Sequence, residues 1–271
     1  MISLNGRKVD LLILDPQNDF CNPEGALFVK GAEQDSVRLA AMIRRLGWKW
    51  NNIHVTLDSH RVVDVAHPIF WKDGQGNHPP VFTQISAADV INGVFRPTNP
   101  GDTERMIIYT QTLAANHNKY PLIIWPYHCL IGSWGHGIVP EVLNSLQEWE
   151  KNTFSSVDFI TKGSNIHTEH YSAVQADVPD PGDPATQLNE RLITTLKGAD
   201  IIAFAGQALS HCVANTIRDI AREFGDENVH KLVLIEDTTS SVTGFEQAGE
   251  KFVKEMILKG MKTANSTEFH P

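Results

Sequence analysis

Short runs of β-branched and aliphatic residues alternate along this chain with segments whose apolar positions recur every three or four residues, an alternation that admits few folds. Val9 to Leu14 is such a run, ended by Asp15 and the breaker cluster Pro16-Gln17-Asn18-Asp19, and reads as a buried strand. Behind it Val37, Leu39, Ala40, Met42, Ile43 and Leu46 share a helical face, with Ser36 as candidate cap and Gly47 as the stop. Further strands are expected at Ile53 to Leu57, Leu122 to Trp125, Asp158 to Thr161, Ile201 to Ala205 and Leu232 to Ile235. Helices are expected at Thr103 to Ala114, around Leu188, Leu192 and Leu196, from Cys212 to Phe224, and from Phe245 to Leu258. Strands and helices in that order make βαβ units: an α/β chain with a mainly parallel six-stranded sheet and helices on both faces. Chemistry in such sheets lies beyond the C-terminal ends of the strands. No break in composition divides residues 1–271, which are expected to form a single domain. Residues 68–101, with two Pro clusters and little periodicity, are expected to be a lid or insertion.

Composition narrows the function. With 41% hydrophobic and 20% charged residues, the chain can bury a full core, which excludes disorder. A formal charge of −9 offers no overall field to phosphate backbones or anionic lipid, so neither nucleic acid nor membrane is an expected partner. No apolar run has the roughly 18 residues needed to span a bilayer, and the first residues lack a signal-peptide pattern. Three cysteines, Cys21, Cys129 and Cys212, are too few for a disulfide framework; the expected location is the cytoplasm.

Several chemistry-bearing residues fall at expected strand ends. Cys212 follows a strand through the short segment GQALSH and opens a helix, where free N–H groups and the helix dipole favour a thiolate and can hold an oxyanion. A lone cysteine is more often a small core residue. Asp15 and Lys162, however, also end strands and converge on the same sheet edge, so an acid, a base and a thiol meet there. Asp58 and His60 leave the second strand two residues apart, on one face of an extended chain. His67 follows on the same loop, and His128 stands just past Trp125. Oxygen and imidazole ligands of this kind suit Zn, Fe or Mn.

The ordered stretches DPQNDF (15–20), DSH with a later His (58–67), WPYHCLIGSWG (125–135), Lys162 followed by HYSA (170–173), and GQALSHCV (206–213) resemble the nicotinamidase/pyrazinamidase branch of the isochorismatase-like cysteine hydrolases. The resemblance spans nearly the whole chain. It implies an isochorismatase-like, Rossmann-like three-layer fold and a catalytic triad of Asp15, Lys162 and Cys212. It further implies an oxyanion hole from the N–H groups of Ala208 and Cys212 after a cis Gln207–Ala208 bond, and a divalent metal on Asp58, His60, His67 and His128. Phe20, Trp125 and Tyr171 match family positions that enclose a flat ring. The implied activity is metal-assisted hydrolysis of a small, heteroaromatic amide such as nicotinamide to the acid and ammonia through a thioester, with no organic cofactor; a homo-oligomer is compatible with it. The alternatives are a metal-free amidase of carbamoyl or ureido groups, and a catalytically silent ligand-binding relative. Two departures stand out: GQALSHCV replaces the family's usual GVATDHCV, and the segment from His67 to Trp125 is longer than in small bacterial nicotinamidases.

Overall fold

The computed structural model describes residues 6–116 and 120–271. Within them the chain runs β1 (Val9–Leu14), α1 (Asn18–Cys21), α2 (Ala32–Leu46), β2 (Asn52–Asp58), β3 (Trp71–Asp73), β4 (Gln84–Ile85), α3 (Ala87–Ile91), β5 (Phe95–Pro97), α4 (Thr103–Ala115) and β6 (Leu122–Ile123). It continues through α5 (Pro140–Thr153), β7 (Asp158–Lys162), α6 (Glu190–Lys197), β8 (Ile201–Gly206), α7 (Ala214–Phe224), β9 (Leu232–Ile235), α8 (Glu246–Leu258) and β10 (Lys262–Ala264).

Six of the strands form one sheet in the order β10-β9-β8-β1-β2-β7, and every pairing in it is parallel. All six residues of β1 are buried because both faces of the sheet are covered. Leu11 and Ile13 point into a cluster with Leu39 and Ile43 of α2 and Leu146 and Trp149 of α5. Leu12 and Leu14 point the other way, to Leu192 and Leu196 of α6, Ile217 and Ile220 of α7, and Phe252 and Met256 of α8. The period-2 alternation of one central strand thus builds both halves of the core. No helix among the described residues is long and apolar enough to cross a membrane.

Three expectations need correction. The run from Leu122 to Trp125 does not join the main sheet: its strand covers Leu122 and Ile123 and pairs antiparallel with β4. It is apolar because Leu122 and Ile124 bury themselves in a third cluster with Val65, Phe70, Trp71, Ile85, Met106 and Tyr109. The sixth place in the sheet belongs to β10, which no apolar run announces, since it is a short edge strand reading Lys-Thr-Ala. The N-cap of α2 lies five residues before the expected one: it is Gly31, and Ser36 lies inside the helix, its hydroxyl donating to Ala32 O at 2.8 Å. Helix α5 is an addition. Only Val142, Leu146 and Trp149, among polar neighbours, mark its buried face. The 68–101 stretch is itself folded: β3 pairs with β5, and α3 starts in a capping box in which Ser86 and Asp89 satisfy each other's backbone N–H.

The chain builds β1, β2 and β7 outward in one direction and then returns to place β8, β9 and β10 on the other side of β1. The crevice between β1 and β8 is therefore the topological switch point, where ligands of such sheets bind. Gly206 ends β8 there with φ +102°, and a Cβ on it would stand 2.1 Å from the carbonyl oxygen of Leu14. Gly206→Ala combines a strained φ with a backbone collision and is expected to cost about 3 kcal/mol or more, read as a lower urea midpoint; an unshifted midpoint contradicts the close approach.

At the opposite end, buried His54 lies with Nδ1 2.9 Å from Asp158 Oδ2 and Nε2 3.8 Å from Asp10 Oδ2. Burial alone pushes the imidazole's pKa down, but the two carboxylates outweigh it and raise the value above the ordinary 6.5. A raised folded-state pKa contributes stability that is complete below 6.5 and fades as pH climbs through the folded value. Unfolding free energy should therefore fall with pH just above 6.5, and His54→Leu should flatten that slope; an equal slope in the variant counts against the assignment.

Candidate active site

Four parallel strand ends deliver the polar groups. Asp15 follows β1, Asp58 ends β2, Lys162 ends β7, and Gln207 follows β8. Parallel register sets Asp58 directly beside Lys162. Asp15 turns off its strand in the left-handed region, φ 43°, and its N–H donates to Thr56 Oγ1 at 3.0 Å while the Thr56 hydroxyl donates back to Asp15 Oδ1 at 2.5 Å. Cys212 sits in a π-helical turn, Leu209–Val213, that precedes α7 and so does not itself open the α-helix. The Gln207–Ala208 peptide bond is cis.

The triad expected from sequence comes together in a closed space. Lys162 Nζ lies 2.9 Å from Asp15 Oδ2, 3.1 Å from Asp58 Oδ1 and 3.6 Å from Cys212 Sγ, and Asp15 is within hydrogen-bonding reach of the thiol. Burial pushes the Asp15 pKa upward; the Lys162 ammonium opposes this and Asp58 adds to it, leaving Asp15 a stronger base than an ordinary carboxylate. Burial also raises Cys212 well above the usual thiol value despite Lys162, so its resting form is the thiol and not the thiolate expected from a helix terminus. Burial disfavours the Lys162 charge, but Asp15, Asp58 and Cys212 outweigh it, and the ammonium persists.

Beside the triad stand the expected metal ligands. Oxygen and nitrogen atoms of Asp58, His60 and His128 all lie within 4.8 Å of one another. His60 Nε2 is 3.1 Å from Asp58 Oδ2, and its Nδ1 is 3.0 Å from Asp64 Oδ2. Nδ1 of His128 is held by Pro126 O at 2.8 Å. His67 lies outside that tight group, with ring centroids 5.3 Å from His60 and 5.6 Å from His128. Its Nδ1–H donates to Arg61 O at 2.9 Å, and its Nε2 is buried without a partner. Burial, reinforced by the neighbouring imidazoles, lowers its pKa to about 4, so His67 stays neutral. A neutral imidazole with one nitrogen anchored and the other lone pair orphaned is the donor form a metal takes, and Asp64 supplies the outer carboxylate that commonly orients a ligating His. The residues present fit a divalent ion.

The pocket over Cys212, about 340 Å³ including its mouth, is lined by Phe20, Trp125 and Tyr171 as expected, and also by Glu169, His211 and Val242. Trp125 Nε1–H donates to the Tyr171 hydroxyl at 2.9 Å, fixing the two rings. Glu169 and His211 were reachable from sequence only as neighbours of singled-out residues. Burial raises Glu169 to about 8 and leaves its Oε2 unpartnered, so at neutral pH it presents mainly a carboxylic acid. Burial lowers His211 to about 3, and its ring stacks on Tyr120 at 4.4 Å. Further residues hold the loops: Gln17 clamps Asp58 through its backbone N–H (2.7 Å) and carbonyl (2.8 Å), and Asp19 accepts the Cys129 N–H at 2.6 Å beside His128. His60→Ala should strip the ion from purified protein, read by native mass spectrometry; full metal content in that variant removes the cluster from consideration as a metal site.

No protein-family model matches the chain. The nicotinamidase of Saccharomyces cerevisiae is 24% identical over 246 residues, covering 91% of this chain and 94% of that protein. The structure of the yeast nicotinamidase superposes with a TM-score of 0.66 at 19% identity, covering 95% of this chain and 99% of that one. A Pyrococcus horikoshii pyrazinamidase in complex with zinc superposes with a TM-score of 0.56 at 18% identity, covering 95% and 99%. The chain thus has the isochorismatase-like fold, and over nearly its whole length it resembles the nicotinamidase/pyrazinamidase branch of those hydrolases.

Proposed function

We propose that this protein is a cysteine amidohydrolase that converts a small heteroaromatic amide, such as nicotinamide, to its carboxylic acid and ammonia. One observation carries the reading: a buried ammonium, Lys162, touches Asp15, Asp58 and Cys212 at once, so a nucleophile, its base and a candidate metal cluster share a single pocket. The relatives that share the fold are nicotinamidases and pyrazinamidases, one in complex with zinc, which supports both the substrate class and the ion.

In this mechanism Asp15, made basic by burial, takes the Cys212 proton as Sγ attacks the amide carbon. Lys162 offsets the anionic charge that the pair carries during the attack. The carbonyl oxygen, now negative, is held by the backbone N–H groups of Ala208 and Cys212. Asp15 returns its proton to the departing nitrogen, ammonia leaves, and a thioester remains. Water deprotonated by Asp15 then opens the thioester, releasing the acid and restoring the thiol. Phe20, Trp125 and Tyr171 hold the ring flat, which brings the carbonyl to Sγ. Asp58, His60, His128 and His67 would hold the divalent ion, Zn, Fe or Mn; when bound it supplies a Lewis-acid point that orients a ring nitrogen or a water.

The 68–101 insertion acts as a cover in this reading, since Phe82 sets its ring edge-on to Trp125 at 5.9 Å. Three free, buried thiols suit a reducing, cytoplasmic setting.

Ammonia release from nicotinamide, pyrazinamide and aliphatic amides tests the assignment. Activity is expected on the ring amides, and Cys212→Ala should lower kcat by at least about a thousandfold while still binding the product acid. Near wild-type turnover in Cys212→Ala, or no release from any amide by wild type, would falsify it.

A further inference from the structure

Three residues of the segment just before the nucleophile, Gln207, Leu209 and Ser210, are hydrogen-bonded to the loop over residues 237–242. Gln207 Nε2 donates to Asp35 Oδ2 at 3.0 Å, and its Oε1 accepts the Ser240 N–H at 3.2 Å. The Ser240 hydroxyl donates to the same Asp35 Oδ2 at 2.6 Å. Leu209 N–H donates to Ser240 O at 2.8 Å, and Ser210 Oγ accepts the Val242 N–H at 3.1 Å. Asp35 is fixed in turn by Arg38, whose Nη2 donates to Oδ1 at 2.7 Å. Gln207, Asp35 and Ser210 are all buried.

We propose that Gln207 and Asp35 are positioning residues: their bridge through Ser240 fixes where the Ala208 amide stands relative to the Cys212 thiol, and seats Val242 in the pocket wall. The inference rests on the amidase reading. An aliphatic residue at 207, as in the family's usual motif, cannot make this bridge. Gln supplies a donor and an acceptor on one planar group, and both are used. Without them the buried Asp35 carboxylate keeps one fewer donor and the Ser240 N–H loses its acceptor, penalties relieved only by moving the loop. Such movement displaces the Ala208 amide, which directly follows Gln207, while Asp15 and Lys162, delivered by β1 and β7, and Cys212, in the turn that runs on into α7, keep their contacts. A loop shift therefore separates stabilisation of the tetrahedral state from activation of the thiol.

The test uses Gln207→Val, Asp35→Ala, the double variant and the milder Ser240→Ala, which removes a single hydroxyl and guards against a fold that fails. Five quantities are read: kcat and KM for nicotinamide, the rate of Cys212 alkylation by iodoacetamide, and affinities for pyridine-3-carbaldehyde and for nicotinate. The aldehyde reads the oxyanion site because the thiol adds across its C=O: the S–C bond forms, the π bond breaks, and the thiol proton ends on the new hydroxyl. In Gln207→Val, kcat and aldehyde affinity are expected to fall together by about a hundredfold, with KM, nicotinate affinity and alkylation rate near wild type. The double variant should be no worse than the poorer single one, because both act through one bridge, and Ser240→Ala should show a smaller loss of the same kind. Unchanged kcat and aldehyde affinity in a folded Gln207→Val overturn the proposal, as does a parallel loss of alkylation and nicotinate binding, which marks general collapse of the pocket. If wild type hydrolyses no amide, the amidase reading fails instead, and the ratio of aldehyde affinity to alkylation rate still decides the bridge.

Discussion

A single buried ammonium organises this molecule's polar interior. Lys162 stands at the end of an otherwise ordinary strand and is held by two carboxylates from two different strands, Asp15 and Asp58. An unpaired charge in such a place is very costly, so the three groups are stable only together. Their arrangement ties the thiol to the imidazole cluster: Asp58 accepts from Lys162 through Oδ1 and faces His60 and His128 through Oδ2. In the proposed reaction, proton transfer on one side and metal ligation on the other share one carboxylate. The parallel register of β1, β2 and β7 delivers Asp15, Asp58 and Lys162 without help from any long loop, so the rest of the fold can be read as the frame that keeps those strand ends level.

Much of this was legible in the sequence because the information was local. Short apolar runs ending in Asp15, Asp58 and Lys162 located strands and, at their ends, the polar groups that meet in the structure, and the spacing of Asp58 to His60 already placed both on one side of a strand. What was not legible depended on partners far along the chain. Leu122 to Trp125 reads as a strand of the sheet because it is apolar, yet Leu122 and Ile124 serve the separate cluster around Trp71 and Tyr109. The sixth strand, Lys262–Ala264 at one edge, carries no signal because none of its three residues is fully buried. Ser36 looks like a cap, but backbone geometry at Gly31 starts the helix earlier. The Cys212 thiol shows the same limit in electrostatics, where burial, invisible in sequence, reverses the shift that helix position alone suggests.

The pocket wall illustrates how polar groups outside the expected set acquire meaning. Glu169 and His211 both become neutral through burial, one by holding a proton and the other by refusing one. Two uncharged polar faces against aromatic rings suit an uncharged ligand.

Gly206 carries a different kind of consequence. At the crevice where the sheet reverses its order, the chain has room for backbone and nothing else. That position is closed to substitution as a means of tuning the site, whatever the selective pressure. Its neighbour, the first residue whose side chain has somewhere to go, is where variation can accumulate, and here it is Gln207. The crowding of one residue thus channels change into the next, and a fold shared by many sequences can differ in its reacting centre while the strand ends themselves stay where they are.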